Sequence, residues 1–326
     1  MKTEILKLLR ETDGYVSGQE LCEHFQVSRT AVWKVINQLK EEGYQIEAVR
    51  NRGYHLLEAA DVMTEAELES RMKGQWAGRN LVYYQETDST NDRGKKLAED
   101  GCPHGTLVVA DCQNAGKGRR GRNWTSPSGE AVYMSLVLRP EILPSCASMV
   151  TLVAAMAVAE GIRQVTGLDP MIKWPNDIVV NGKKICGILT EMSAEMDCIH
   201  YVVIGIGINV NQKEFPEDIR DKATSLLLEK KESLSRSEIA AAVMESFEEF
   251  YSRYEKTGDL TLLMEDYNRM LVNTGKEVLI MAPSGNYSGT SQGIDRNGEL
   301  LVQMDDGSVR RVISGEVSVR GIYGYV

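Results

Sequence analysis

No Cys-x-x-Cys pair occurs among the six cysteines, Cys22, Cys102, Cys112, Cys146, Cys186 and Cys198. Cysteines scattered in this way predict free thiols in a reducing compartment, not a disulfide scaffold or a structural zinc site. Long apolar runs are also missing. The longest nearly apolar stretch, 149–159, ends at Glu160, short of the ~20 residues that cross a bilayer, and predicts a buried helix. The opening Met1-Lys2-Thr3-Glu4 carries charge early and begins no secretory core, so the expectation is a cytoplasmic chain without membrane contact. Positive charge is not in excess: 37 Lys and Arg face 47 Asp and Glu, a net charge of -10, which excludes a uniformly basic coat but leaves room for a local basic face. An apolar share of 42% excludes wholesale disorder. Internal repeats and low-complexity segments are absent. A length of 326 residues predicts about two or three domains at ~100–200 residues each.

The first 60 residues form one expected unit. Ile5, Leu6 and Leu9 recur at helical spacing, a second short helix covers 19–25 with Leu21 and Phe25 on one face, and Ser28 is a good N-cap for a third over 29–39. Val32, Ile36 and Leu39 form the inward stripe of that third helix, leaving Arg29, Thr30, Lys34, Asn37 and Gln38 outward. Two short extended runs, 45–49 and 54–57, then flank Asn51-Arg52-Gly53, a hairpin turn. This order is the layout of a winged helix-turn-helix, with Ser28, Arg29, Thr30, Lys34, Asn37 and Gln38 facing a major groove and Arg50 and Arg52 suited to phosphate or minor-groove contact. Three-helix units also dock proteins, and this one is neutral over its length, but its cations gather on the third helix and the wing. Modest charge on a single module favours a dimer on a two-part site.

From 61 to 270 the pattern alternates. Strands are expected at 81–85, 106–112, 131–138, 171–173, 178–180, 185–192 and 200–206, and helices at 91–99, 145–165 and 235–254. The last helix opens with the capping box Ser235 and Glu238. From 271 to 326, short extended runs separated by Pro283-Ser284-Gly285, Arg296-Asn297-Gly298 and Asp305-Asp306-Gly307 predict a small β-barrel.

Chemistry concentrates in the central unit. In Gly116-Lys117-Gly118-Arg119-Arg120-Gly121-Arg122-Asn123-Trp124, three glycines alternate with four cations, so backbone N–H groups and side-chain charge can converge on an anion. The spacing is not that of a P-loop. A solvated basic loop touching nucleic acid would share the charge, and a lid closing over a phosphorylated ligand would share the glycines as well. Lys173-Trp174-Pro175-Asn176-Asp177 leads into a hairpin turning at Asn181-Gly182. A two-residue turn opposes Val180 to Lys183 and Val179 to Lys184 and, counted back along a regular ladder, Asp177 to Cys186. Asp177 and Lys184 then share a face, while Lys183 points the other way, so Lys184 is the lysine aimed at whatever Asp177 serves; without the neighbouring motif, either would read as an ordinary exposed hairpin charge. Asp88-Ser89-Thr90-Asn91 is a polar helix start that serves as an N-cap or binds a ureido or amide group. Gln113 follows a strand, and Gly205-Ile206-Gly207-Ile208-Asn209 allows either close packing or close ligand approach.

Taken in order, Ser89-Thr90-Asn91, the Gly116 to Arg122 loop with Trp124, Lys173 to Asp177, Lys184-Ile185-Cys186-Gly187-Ile188-Leu189 and Gly205 to Asn209 resemble the biotin protein ligases. With the N-terminal unit, the resemblance extends over essentially the whole chain to the bifunctional ligases that also repress the biotin operon. One departure is Lys117, where relatives often carry arginine, so bidentate geometry is lost there.

The resemblance implies a winged helix-turn-helix (1–60), a central mixed-sheet α/β ligase domain of the class II synthetase type (61–270) and a small SH3-like β-barrel (271–326). It implies ATP and Mg²⁺, formation of biotinyl-5′-AMP, transfer to a lysine of a biotin carboxyl carrier domain of biotin-dependent carboxylases, operator DNA and a homodimer. Carried over by motif position, Ser89, Thr90, Asn91, Gln113, Lys117, Gly118, Arg119 and Lys184 contact biotin, and Arg119, Arg122, Trp124, Asn176, Asp177 and Asn209 the nucleotide. Lys184, Arg119 and Arg122 carry catalysis, and Asp177 takes the metal. Two anions must meet in the first step, which requires cations and positioning instead of a protein nucleophile. The four scattered histidines receive no role. A lipoate-type acyl-adenylate ligase and a non-catalytic ligand-sensing repressor are the rival expectations.

Overall fold

The computed structural model describes residues 1–58, 61–282, 285–314 and 318–321. The Ala59-Ala60 junction and Pro283-Ser284 lie outside the described residues.

Three helices, α1 (Lys2–Glu11), α2 (Gly18–Phe25) and α3 (Arg29–Glu41), precede a hairpin of β1 (Gln45–Val49) and β2 (Gly53–Glu58). Serine hydroxyls set both inner helix starts: Ser17 accepts from the N–H of Glu20, and Ser28 from that of Ala31 at 3.2 Å. Ile5, Leu6, Leu9, Leu21, Val32, Ile36 and Leu39 converge in a separate small core. Gly53, at φ +116°, lies so close to the Val16 carbonyl that a Cβ would stand 2.0 Å from it, and Val16 makes an isolated antiparallel bridge to Tyr54. The winged helix-turn-helix read from the sequence is therefore the observed unit.

The central unit contains α4 (Glu65–Arg71), β3 (Leu81–Thr87), α5 (Thr90–Glu99), β4 (Thr106–Gln113), β5 (Ala131–Leu138), α6 (Ala147–Thr166), β6 (Met171–Lys173), β7 (Asp177–Val180), β8 (Lys183–Ala194), β9 (Ile199–Asn209), α7 (Leu226–Lys230), α8 (Arg236–Thr257) and α9 (Met264–Met270). Its seven-stranded sheet runs β3-β4-β5-β9-β8-β7-β6. β3 and β4 are parallel and the other neighbours antiparallel, giving the expected mixed sheet. β5 is buried along its whole length, as a strand covered on both faces must be. The segment Pro144–Thr166 is long and apolar enough by composition to cross a membrane, longer than the 149–159 run suggests, but 78% of its apolar window is buried. It packs against α8 and the sheet.

The last unit is a five-stranded antiparallel sheet of β10 (Glu277–Ala282), β11 (Gly285–Ile294), β12 (Leu300–Gln303), β13 (Val309–Val312) and β14 (Ser318–Gly321), in the order β13-β12-β11-β10-β14. No ladder joins β13 to β14 among the described residues.

A buried carboxylate ties the first unit to the second. Glu67 of α4 is fully buried and accepts from Arg10 at 2.8 and 2.9 Å, from the Tyr44 hydroxyl at 2.6 Å, from Arg71 at 2.5 Å and from Ser237 at 3.0 Å. Beside Ser237, Arg236 pairs with Asp61 and, at 2.6 Å, with Asp111 on β4. A charge taken from water at this depth is tolerable only when fully partnered, as this one is.

Candidate active site and DNA-facing surface

One cleft opens over the middle of β8 and the 205–207 stretch of β9, beneath the glycine-rich loop. Its lining includes Ser89, Thr90, Asn91, Gln113, Lys117, Gly118, Arg119, Trp124, Asn176 and Lys184, together with Gly187, Gly205 and Gly207. Residues from five separate sequence motifs thus meet in one place.

The polar end is a hydrogen-bonded chain. Gln113 Oε1 accepts from the Thr90 N–H at 2.8 Å and its hydroxyl at 3.1 Å, and Gln113 donates to Ser126 at 2.9 Å. Ser135 donates to Thr90 Oγ1 or to Asn91 Oδ1, at 2.8 and 2.6 Å. Asn91 donates to the Leu189 carbonyl and to Glu191. Ser89 is buried, and its hydroxyl makes no capping bond to the helix it precedes. These are fixed donors and acceptors of the kind that orient a ureido or amide group.

The charged end is built on the β7–β8 hairpin. Lys184 Nζ lies 2.6 Å from Asp177 Oδ1 and 5.3 Å from the centre of the Trp124 ring, whereas Lys183 is exposed. The regular register is overturned at one point: Asp177 opposes Gly187, not Cys186, because a bulge falls between Ile178 and Val179. Its cause is tertiary. The main chain of Lys184 exchanges hydrogen bonds with the segment 222–224, through the Lys222 carbonyl at 2.8 Å and the Thr224 N–H at 2.9 Å, so one residue drops out of the ladder. The shared face of Asp177 and Lys184 survives this shift.

The glycine-rich loop covers the cleft. Arg119 donates to Asn176 Oδ1 at 2.6 Å, and Asn176 in turn donates to the Ile188 carbonyl. Lys117 Nζ is 2.6 Å from Asp92 on α5. Burial works to raise the Asp92 carboxyl, but hydrogen bonds from Lys117 and Lys95 outweigh it and hold it below the usual carboxylate range. Trp124 folds inward over two glycines: a Cβ at Gly187 or Gly207 would stand 3.0 or 2.9 Å from its ring. Gly205 leaves room for Asn91, whose Oδ1 a Cβ would meet at 2.1 Å. These close approaches are side-chain packing, one of the two roles the sequence left open. The Trp124 indole N–H is buried without a hydrogen-bond partner among the described residues.

Arg122 and Asn209 do not line the cleft. Arg122 is exposed on the loop, and Asn209 is buried, donating to the Thr224 carbonyl at 3.0 Å. Asp177 stands behind Lys184. No carboxylate is among the cleft's described lining residues; of those just behind it, Asp92 is paired with Lys117 and Lys95 and Glu191 with Lys95, and Asp177 is the one at the charged end, beside Lys184, so a metal ion there would need phosphate oxygens for most of its ligands. Mg²⁺ commonly binds through one or two carboxylates plus substrate phosphates, and the residues present fit it on those terms.

Sequence reasoning missed Ser135 and Asp92. Ser135 was detectable as the one serine inside the apolar run 131–138. On the DNA-facing side it missed Trp33. Arg29, Thr30, Lys34 and Gln38 are exposed and Asn37 half-buried on α3, Ser28 caps it, and Arg50 and Arg52 are exposed at the wing. Arg52 lies over the Tyr15 ring at 4.6 Å. Trp33 sits among these polar groups 56% exposed, and its place off the Val32, Ile36, Leu39 stripe was the available signal.

A cation-lined, loop-covered cleft on a mixed sheet, joined to a winged helix, defines a DNA-binding acid-activating ligase. The family model described as the biotin/lipoate A/B protein ligase family matches residues 83–209, an HTH domain matches 2–55, and the biotin protein ligase C terminal domain matches 274–320. The bifunctional ligase/repressor BirA of Bacillus subtilis is 39% identical over 98% of both chains, and that of Escherichia coli 30% identical over 93% of this chain and 92% of its own. Biotin protein ligase from Aquifex aeolicus, solved in complex with biotin and ATP, is 32% identical and covers 74% of this chain and 99% of its own with a TM-score of 0.66. The chain belongs to the family of bifunctional biotin ligase/repressors.

Proposed function

We propose that the protein joins biotin to ATP, forming biotinyl-5′-AMP and pyrophosphate, passes the biotinyl group to a lysine of a biotin carboxyl carrier domain with release of AMP, and represses biotin-synthesis genes while it holds the adenylate. The observation that carries this reading is the convergence of Lys184, Arg119, Thr90 and Gln113 on one cleft, with Ser135 bonded behind Thr90.

In this reading the polar end receives the ureido ring through Ser89, Thr90, Asn91 and Gln113. Lys184 Nζ, held by Asp177 at 2.6 Å, bridges the biotin carboxylate and the α-phosphate, offsetting repulsion between two anions as they approach. The carboxylate oxygen bonds to the α-phosphorus, and the bond to the pyrophosphate oxygen breaks. Arg119 is the loop's anchor on the phosphate, with Lys117, Gly118 and Arg122 on the same loop, and Trp124, Asn176 and Asn209 support the nucleotide side. Mg²⁺, when bound, neutralises phosphate charge, with Asp177 its protein ligand. In the second step the carrier lysine attacks the acyl carbon and AMP leaves; no side chain of this chain acts as a nucleophile.

The winged helix is the operator reader, with Ser28, Arg29, Thr30, Trp33, Lys34, Asn37 and Gln38 in the major groove and Arg50 and Arg52 on the backbone or minor groove. A homodimer supplies two such helices, and linkage requires the adenylate to bind the dimer more tightly than the monomer. The cytosol, where carrier, ATP and DNA meet, is its compartment. The three units divide at 1–60, 61–270 and 271–326.

ATP–pyrophosphate exchange with Mg²⁺ tests the ligase half. Exchange driven by biotin and not by lipoate is the expected result. Exchange driven by lipoate would change the substrate, and none with either acid would leave a ligand-sensing repressor.

A further inference from the structure

Three Cys-x-His steps occur in the chain, at Cys22 and His24, Cys102 and His104, and Cys198 and His200, and the structure separates them. The first lies on α2, where residues two apart point to different sides. In the second, His104 Nδ1 accepts the Arg139 N–H at 3.1 Å, and its ring sits against Trp76 and Tyr251. The third lies where the chain enters β9 in extended form, and alternation puts Cys198 and His200 on one face. Across the β8–β9 turn stands Glu195, its N–H bonded to the Cys198 carbonyl at 2.9 Å and its carboxylate 3.3 Å from His200 Nε2.

We propose that the tip of the β8–β9 hairpin is a metal site at which Glu195, Cys198 and His200 ligate one zinc-class divalent cation. The ligand atoms of the three all lie within 4.8 Å of one another. Ligands on a tetrahedral zinc stand about 3.3–3.6 Å apart, a spacing reached by small rotations of the exposed Glu195 and His200 side chains. The donor set decides the ion. A thiolate with an imidazole selects against Mg²⁺ and Ca²⁺ and for zinc-class ions, and three protein ligands leave the fourth position to water. On binding, the Cys198 sulfur gives its proton to solvent and takes the ion. The backbone under the ligands is already fixed. Ala194 pairs with Ile199, and Arg139 holds the His200 carbonyl at 3.2 Å while its other nitrogens hold those of Cys102 and Ala98. Such an ion would staple β8 to β9 about 23 Å along the strand from Gly187, at 3.3 Å per residue, leaving the cleft untouched. The proposal departs from the expectation drawn from cysteine spacing, which was of free thiols in place of a structural zinc site.

The test is titration of the full-length, reduced protein with Co²⁺, followed by Zn²⁺ displacement and thermal unfolding. One equivalent of Co²⁺ producing a thiolate-to-cobalt charge-transfer band is expected, with the band abolished in Cys198→Ser and the affinity lowered at least about tenfold in His200→Gln, the loss of one of three ligands. Zn²⁺ should raise the unfolding temperature of the unsubstituted protein and not of Cys198→Ser. Unchanged biotin-dependent pyrophosphate exchange in Cys198→Ser would show that the variant is folded. A band that persists in Cys198→Ser, or no band at one equivalent, would overturn the proposal.

Discussion

Lys183 and Lys184 are neighbours in sequence and unlike in surroundings: one is exposed, the other paired with Asp177 and set beneath Trp124. Lys184→Ala is expected to lower the rate of biotin-dependent pyrophosphate exchange by about 10²–10³-fold, the usual cost of one donor aimed at developing charge. Lys183→Ala should leave it within about twofold, as for a surface change. Equal losses in the two variants would refute the assignment. Trp33 makes the corresponding argument on the other surface. An apolar ring left 56% exposed between Thr30 and Asn37 on α3 contributes nothing to its own domain's core, but can cover a thymine methyl in a groove. Trp33→Ala should weaken operator binding by about tenfold, or about 1.4 kcal/mol, with exchange activity unaltered; unchanged DNA affinity would remove Trp33 from the interface.

At the scale of elements, two cationic side chains of the glycine-rich stretch reach across to other elements, Arg119 to Asn176 and Lys117 to Asp92. The two contacts differ in strength. Lys117 is 44% exposed and Asp92 31%, so solvent screens the pair to about 0.2–1 kcal/mol, and Asp92→Asn should speed release of biotinyl-AMP only about two- to fivefold. Arg119→Gly, which on the proposed function also removes a phosphate anchor, should speed it at least about tenfold. Stopped-flow dissociation of the adenylate measures both, and equal rates in all three proteins would contradict the loop's role. The long elements were legible in the sequence because their apolar periodicity answers to one core: α3, α6 and α8, and the run of seven strands, follow it. The short helices α4, α7 and α9 were not, since five to seven residues carry too little periodicity and owe their shape to tertiary packing. The β7–β8 bulge was hidden for a related reason. Its cause, the bond from Lys184 to Lys222, joins segments nearly forty positions apart. In the cleft, residue types and motif order showed most members, but Arg122 lies outside it through loop conformation and Asn209 through its side-chain bond to the Thr224 carbonyl, neither of which a local pattern encodes.

At the scale of the molecule, Glu67 joins the winged helix to the ligase core. Burial works to raise its carboxyl, and Arg10 and Arg71 more than offset this, holding it below the usual range. A depressed carboxylate stabilises the folded arrangement fully above the ordinary glutamate value of about 4.3, and that contribution is lost as pH falls through the depressed value. Hydrogen exchange should therefore show α1 and α4 losing protection together in acid before the central sheet does. In Glu67→Gln the same loss should occur near neutral pH, since removing one partner of a buried ion pair costs about 3–5 kcal/mol. Simultaneous loss in all elements would mean that the two units do not separate at this joint.

The central claim is that one cleft makes the adenylate that governs DNA binding. Its most direct test is the affinity of the full-length protein for DNA upstream of its own biotin-synthesis genes, with no ligand, with biotin alone, and with biotin, ATP and Mg²⁺, in the unsubstituted protein and in Lys184→Ala. The account predicts a marked rise in affinity only with all three ligands and only when Lys184 is present. Affinity that is the same in every mixture, or a full rise in Lys184→Ala, would contradict it.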